Sequence, residues 1–204
     1  NPRRRGGDWP APKLKGRFLS TRSVISPRRF AHAVLRTRDI EGAIRWYSRV
    51  LGAQVVQRSE FLAFLTYDEE HHRIALVATP QTASAPPGAA GLDHLAYSHA
   101  DLGSLLQTYA RLKQEGIVPF WTVNHGPTTS IYYKDPDGNG VELQVDNFAT
   151  EAELKGWMTS DRFQNNQIGV EFDPDRLLQR YLRGDPVEVL QRQGAAGSSP
   201  RPKL

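Results

Sequence analysis

The chain has 204 residues, of which 39% are hydrophobic and 24% charged, and it contains no cysteine, which suits one globular domain with small additions. No uncharged apolar run is long enough to cross a bilayer as a helix, and without thiols any bound metal must be held by His, Asp or Glu. The formal charge of +4 is concentrated at the start: residues 1–30 carry nine Lys/Arg and one Asp, which leaves the rest acidic and argues against a basic nucleic-acid-binding face.

Residues 1–28 hold Pro2, Pro10, Pro12, Gly6, Gly7 and the run Arg3-Arg4-Arg5, and read as a flexible basic extension. Their Arg/Ser-rich, acid-poor character is that of an organelle-targeting segment, but they carry no apolar core for a secretory signal, so a cytoplasmic location is expected. From Phe30 the pattern becomes apolar: a strand to Leu35, then Asp39 as N-cap of a helix with Ile40, Ile44, Tyr47, Val50 and Leu51 on one face, stopped by Gly52. Three β-rich runs follow at 53–58, 61–67 and 73–78. After a Pro/Ala/Gly linker at 81–91, the same order returns. A strand at Leu92–Tyr97 leads to Asp101 and a helix with Leu102, Leu105, Tyr109 and Leu112, then to strands at 118–124, 130–134 and 140–145.

His32 precedes Asp39 by seven residues and His94 precedes Asp101 by seven, while the glycines that end the helices lie thirteen and fifteen residues beyond each Asp. A repeat of this length is a whole supersecondary unit. The expected fold is α+β, two βαβββ modules at 29–80 and 91–148 within one domain at 29–148. A helical extension follows at 149–192, with helices at Glu151–Thr159 and Asp173–Leu182, and a disordered tail at 193–204. The open sheet edges make a homo-oligomer the expected state.

In register, His32 and His94 occupy equivalent positions and should converge, while Glu142 stands on the last strand of the second module opposite Ala75 in the first. Two imidazoles and one carboxylate with open positions suit a non-haem Fe(II) enzyme. For a lone histidine at a strand start a structural role is the commoner reading; the symmetry and the carboxylate favour a metal site.

At these residues the sequence resembles the vicinal oxygen chelate superfamily (glyoxalase, bleomycin resistance protein, dioxygenase), and within it the one-domain type I extradiol ring-cleavage dioxygenases, over about residues 30–147. Val123-Asn124-His125, then Ile131-Tyr132, then Asp135-Pro136-Asp137-Gly138-Asn139-Gly140-Val141-Glu142 follow the extradiol signature, and His72-Arg73-Ile74-Ala75 looks like its His-x-x-Ala segment. The resemblance implies one domain forming a half-open β-barrel around Fe(II), or Mn(II), bound by His32, His94 and Glu142. It further implies that Tyr132 bonds the substrate oxygen, that His125 lines the pocket, and that His72 is the catalytic acid–base. The partners it implies are O2 and a small aromatic diol, 2,3-dihydroxybiphenyl-like or catechol-like. The 81–91 insertion lengthens the spacing from His72 to His94, which makes the adjacent His71 a rival for the acid–base role.

Three alternatives fit less of the pattern. A glyoxalase-like isomerase would use four ligands, and Ala75 supplies none. A fosfomycin-type transferase shares the three-ligand set but gives no role to His72, His125 and Tyr132. A non-enzymatic small-molecule-binding protein would need no metal.

Overall fold

The computed structural model describes residues 24, 26–81, 83, 86 and 89–197. The expected basic extension and disordered tail lie outside the described residues except for 24, 26–28 and 193–197, and the linker is described at 81, 83, 86 and 89–91. The chain divides into two units, Asn1–Phe30 and Ala31–Leu204. The described residues of the first are exposed and carry no helix or strand. No helix among the described residues is long and apolar enough to cross a membrane.

The first module runs β1 (Ala33–Thr37), α1 (Ile40–Leu51), β2 (Gln54–Arg58), β3 (Leu62–Thr66) and β4 (Ile74–Ala78). Pairing begins at Ala33, one residue after His32, so β1 starts later than the apolar run predicts. In β1, Leu35 and Thr37 are buried and Val34 and Arg36 exposed, the alternation of a strand with one covered face. The Asp39 carboxylate accepts the Gly42 N–H at the head of α1, and Ala43, Ile44, Tyr47 and Val50 form the buried stripe. Because β1 and β4 are parallel, a crossover must join them, and the sheet order is β1-β4-β3-β2.

The second module repeats this plan with β5 (His94–Ser98), α2 (Leu102–Gln114), β6 (Trp121–Asn124), β7 (Thr128–Lys134) and β8 (Gly140–Asp146). Asp101 and Ser104 form a reciprocal capping box at α2, and the order β5-β8-β7-β6 is that of the first sheet. The fold is thus α+β, with two open mixed sheets and the duplicated unit read from the histidine spacing.

The C-terminal segment holds α3 (Glu151–Met158), α4 (Asp161–Asn165), β9 (Val170–Glu171), α5 (Pro174–Leu182) and α6 (Val187–Leu190). Its two longer helices lie where the sequence places them, and Thr150 and Asp173 cap them. The elements α4, β9 and α6 have two to five residues, too short to leave a periodic signature. β9 pairs antiparallel with β6 and makes the second sheet five-stranded.

One continuous core joins the modules, with Tyr47 of α1, Leu65 and Ile74 from the first and Leu105 of α2, Tyr133 and Leu143 from the second. The polar link across it is specific. Tyr47, fully buried, donates its hydroxyl to Asp135 Oδ2 at 2.9 Å, and Arg38 pairs with Asp137 at 2.9 Å. Burial and then the Asp135 carboxylate push the Tyr47 phenol far above its ordinary range, so it stays a donor at any working pH. Tyr47→Phe removes that bond and should cost about 2 kcal/mol, the range for hydrogen bonds to charged groups. A urea midpoint lowered with an unchanged slope would show it; an unchanged midpoint would show that the link carries no stability.

Candidate active site

The Asp135–Gly140 turn controls where Glu142 lies. Asp135 Oδ1 accepts the N–H groups of Asp137 and Asn139, at 2.9 and 2.8 Å, and Oδ2 accepts Asn139 Nδ2 at 2.8 Å beside Tyr47. The carboxylate is buried yet fully engaged. The turn sets the β7–β8 register, in which Tyr132 pairs with Glu142 and Lys134 with Gly140. On its other side β8 runs parallel to β5 with Gly140 opposite His94. A Cβ on Gly140 would lie 2.4 Å from the Asp93 carbonyl oxygen and 2.9 Å from the His94 Cβ, so only glycine lets β8 approach the histidine this closely.

That approach brings His94 Nε2 within 2.9 Å of Glu142 Oε2, the carboxylate being buried. The other ring nitrogen of His94, Nδ1, lies 2.6 Å from Asp93 Oδ2. A carboxylate can only accept, and each ring nitrogen of His94 faces one, so Nδ1 donates to Asp93 and a proton, or a cation in its place, must stand between Nε2 and Glu142. With a cation in place of that proton, the Nε2 lone pair and the Glu142 carboxylate would be its two donors. The donor set therefore fits a divalent cation at this point.

Tyr132 stands against this pair, its ring perpendicular to that of His94 with centroids 5.2 Å apart and flanked by Trp121 at 4.8 Å. Burial, and then the Glu142 carboxylate, hold its phenol well above the ordinary range. Its hydroxyl is 2.9 Å from His125 Nε2. The ring of His125 is held from behind, because Nδ1 bonds the carbonyl oxygen of Ile168. Since a carbonyl only accepts, Nδ1 bears the proton, and Nε2 is left to accept from Tyr132.

His32 is elsewhere. Its ring lies 4.3 Å from that of His72 and 6.4 Å from that of His71, and His72 also packs on Phe64 at 4.5 Å. The Nδ1 atoms of His71 and His72 are 2.6 Å apart. Burial and then the neighbouring His32 and His71 hold His72 below the ordinary imidazole range. Contacts thus link His94, Glu142, Tyr132 and His125 as one set and His32, His71 and His72 as another. Among the described residues no group of three His, Asp or Glu is set to hold a metal within one chain.

The registers confirm how the modules correspond. Ala75 pairs with Val34 on one side and Phe64 on the other, as Glu142 pairs with Ala96 and Tyr132. Ala75 and Phe64 are therefore the apolar counterparts of Glu142 and Tyr132.

Sequence reasoning overlooked two contributors. Asp93 orients His94, and its adjacency in the chain is a signal that could have revealed it. The C-terminal strand orients the β6 side: Thr122 Oγ1 donates to the Phe172 carbonyl oxygen at 2.6 Å and Trp121 Nε1 to Glu171 at 3.1 Å. No local motif marks that contact.

Residues 29–143 match the Glyoxalase/Bleomycin resistance protein/Dioxygenase superfamily, and the chain belongs to it. Within it the chain belongs to the vicinal oxygen chelate extradiol dioxygenases. It is 49% identical over 162 residues to biphenyl-2,3-diol 1,2-dioxygenase 2 of Rhodococcus globerulus, covering 78% of this chain and 85% of that protein. It is 44% identical over 169 residues to biphenyl-2,3-diol 1,2-dioxygenase 3 of the same organism, covering 82% and 88%. Catechol-2,3-dioxygenase of Bacillus subtilis matches at 30% identity over 125 residues, 61% of this chain and 44% of that protein. These relationships support extradiol ring cleavage as the chemistry of the chain.

The His125 arrangement is open to direct measurement. Ring nitrogen shifts in an NMR spectrum of histidine-labelled protein should show His125 as the Nδ1–H tautomer. Gly169 has φ +114°, and a Cβ there would lie 2.4 Å from the Asn124 carbonyl oxygen and 2.7 Å from the His125 Cα. Gly169→Ala should therefore displace the strand and mix the tautomers; an Nε2–H signature in the unaltered protein would refute the assignment.

Proposed function

We propose that this protein opens the ring of a catechol-type diol with O2, using a divalent metal, Fe(II) with Mn(II) the alternative, bound by His32, His94 and Glu142. The observation that carries this reading is the meeting of His94 and Glu142 at 2.9 Å with Tyr132 and His125 beside them, all on signature positions. The identity to proteins named as biphenyl-2,3-diol dioxygenases supports an aryl-substituted diol as substrate. Bound there, the ion would supply adjacent positions for diol and oxygen and a route for electrons between them.

The chain's own residues supply the rest. Tyr132, whose phenol remains protonated and donates to His125, keeps oxygen lone pairs beside the proposed ligands that accept from a substrate hydroxyl and so orient it. His125, holding that hydroxyl from behind, limits the directions in which it points. The rings of Phe120 and Trp121, centred 6.2 and 4.8 Å from that of Tyr132, offer apolar faces to an aromatic substrate. His72 takes the proton of a diol hydroxyl and returns one as the ring opens, a role worth about 10²–10⁴ in rate. No atoms are lost in the reaction: both oxygens of O2 enter the product, a ring-opened acid bearing an aldehyde or ketone.

Protein loaded with Fe(II) without air should consume one O2 per 2,3-dihydroxybiphenyl and form a yellow product. Metal bound with no uptake across a panel of catechols would reject the reading. His72→Phe should keep the metal and lower turnover about 10²–10⁴-fold. Turnover at the unaltered rate would move the acid–base role to another residue, His71 first.

A further inference from the structure

A cavity lies on the far side of the second sheet from Glu142. In the β5–β8 register Ala96 pairs with Glu142 and Tyr97 with Leu143, and neighbouring side chains along a strand point to opposite faces. Tyr97 and Leu143 therefore share the other face, where Leu143 joins the core with the buried stripe of α2. With Val50 at the end of α1 and Thr108 of α2 they line a cavity of about 330 Å³, within the range of small-molecule sites. Val50 and Leu143 are buried and form its floor, while Gly52, Tyr67 and Arg111 are exposed and mark its mouth.

The wall of this cavity is aromatic and its rim basic. Tyr67 and Tyr97 meet edge to face with centroids 5.8 Å apart, which leaves ring surface for a further aromatic group. Burial holds both phenols above their ordinary range, so both stay protonated and can donate. His99, also at the lining, is held below the usual imidazole range by burial and is neutral near pH 7. No described Asp or Glu lines the cavity. The Asp101 carboxylate near His99 is turned onto the head of α2, where it accepts the Ser104 N–H at 2.7 Å. Glu115 is shared between two cations, Arg111 at 3.1 Å and Arg49 at 3.9 Å, so this corner keeps one positive charge. Arg111 uses Nη1 on Glu115 and Nη2 on the Arg49 carbonyl oxygen, and a guanidinium has five N–H donors.

We propose that this cavity binds a small aromatic monocarboxylate, its ring against Tyr67 and Tyr97 and its carboxylate on Arg111. The donors call for an acceptor, the surplus charge for a monoanion, and the volume for a single ring. The site stands apart from the reaction centre, on the opposite face of β8 from Glu142, and does not depend on the metal ligands proposed above. Because Val50 belongs to α1 and Thr108 and Arg111 to α2, the ligand bridges the two modules and, binding only the folded chain, raises its Tm.

The test is equilibrium dialysis of the full-length, metal-loaded protein against radiolabelled benzoate, without air and with saturating 2,3-dihydroxybiphenyl present to occupy the candidate active site. One benzoate per chain should be retained, and benzyl alcohol, similar in shape but uncharged, should bind about tenfold more weakly. Thr108→Phe, which fills the cavity, and Arg111→Met should each weaken benzoate binding by about tenfold or more. Arg111 also holds the Arg49 carbonyl, so the unaltered protein gives a second reading: benzoate should shift the NMR signals of the His99 ring. No retained benzoate, displacement of benzoate by the diol, equal binding of benzyl alcohol, undiminished binding by Thr108→Phe or an unmoved His99 signal would each overturn the proposal.

Discussion

The hydrogen bonds converging on the buried carboxylate of Asp135 determine the geometry of the rest. A buried carboxylate must have its charge compensated by donors, and here two backbone N–H groups, the Asn139 amide and the Tyr47 hydroxyl provide them. The first three shape the β7–β8 turn and hence the register that pairs Tyr132 with Glu142. The fourth ties that turn to α1 of the other module. In a strand a slip of one residue reverses every side chain, so this turn decides whether Glu142 faces His94 at all. The same carboxylate thereby sets both the local ligand geometry and the joint between modules.

Duplication of the βαβββ unit produced two similar frames that now hold different chemistry. Where the second module has Glu142 and Tyr132 in paired positions, the first has Ala75 and Phe64. An apolar pair at that place cannot hold a cation or orient a hydroxyl. It instead backs His72, which packs on Phe64 and is held below the usual imidazole range chiefly by burial. In the proposed reaction one frame moves a proton and the other binds the cation and the diol. A reaction that needs both requires the two frames to meet.

The C-terminal segment extends the site beyond the residues shared with the superfamily, which end at 143. Its short strand β9 pairs with β6, and three consecutive features follow from it: Glu171 takes the Trp121 indole N–H, Phe172 takes the Thr122 hydroxyl, and Ile168 takes the His125 imidazole N–H. Trp157 of α3 packs where a side chain on Gly126 would stand. The segment acts as a brace behind Tyr132, so the direction of its hydroxyl depends on residues 25 to 40 positions away in the chain.

The sequence by itself determined the duplicated unit, because helix caps, strand alternation and a seven-residue spacing from histidine to cap are local and recur twice. It also determined the turn before Glu142, since the Asp-Pro-Asp-Gly-Asn-Gly run acts through neighbours in the chain. Only the tertiary structure decided which of those residues meet. His32 and His94 stand on different modules, which are linked across the core by a tyrosine in one helix and an aspartate in a distant turn. The brace on His125 was equally hidden, because a two-residue strand and a backbone carbonyl carry no side-chain pattern. Local periodicity records which face of an element is covered; it holds no information on which distant element does the covering.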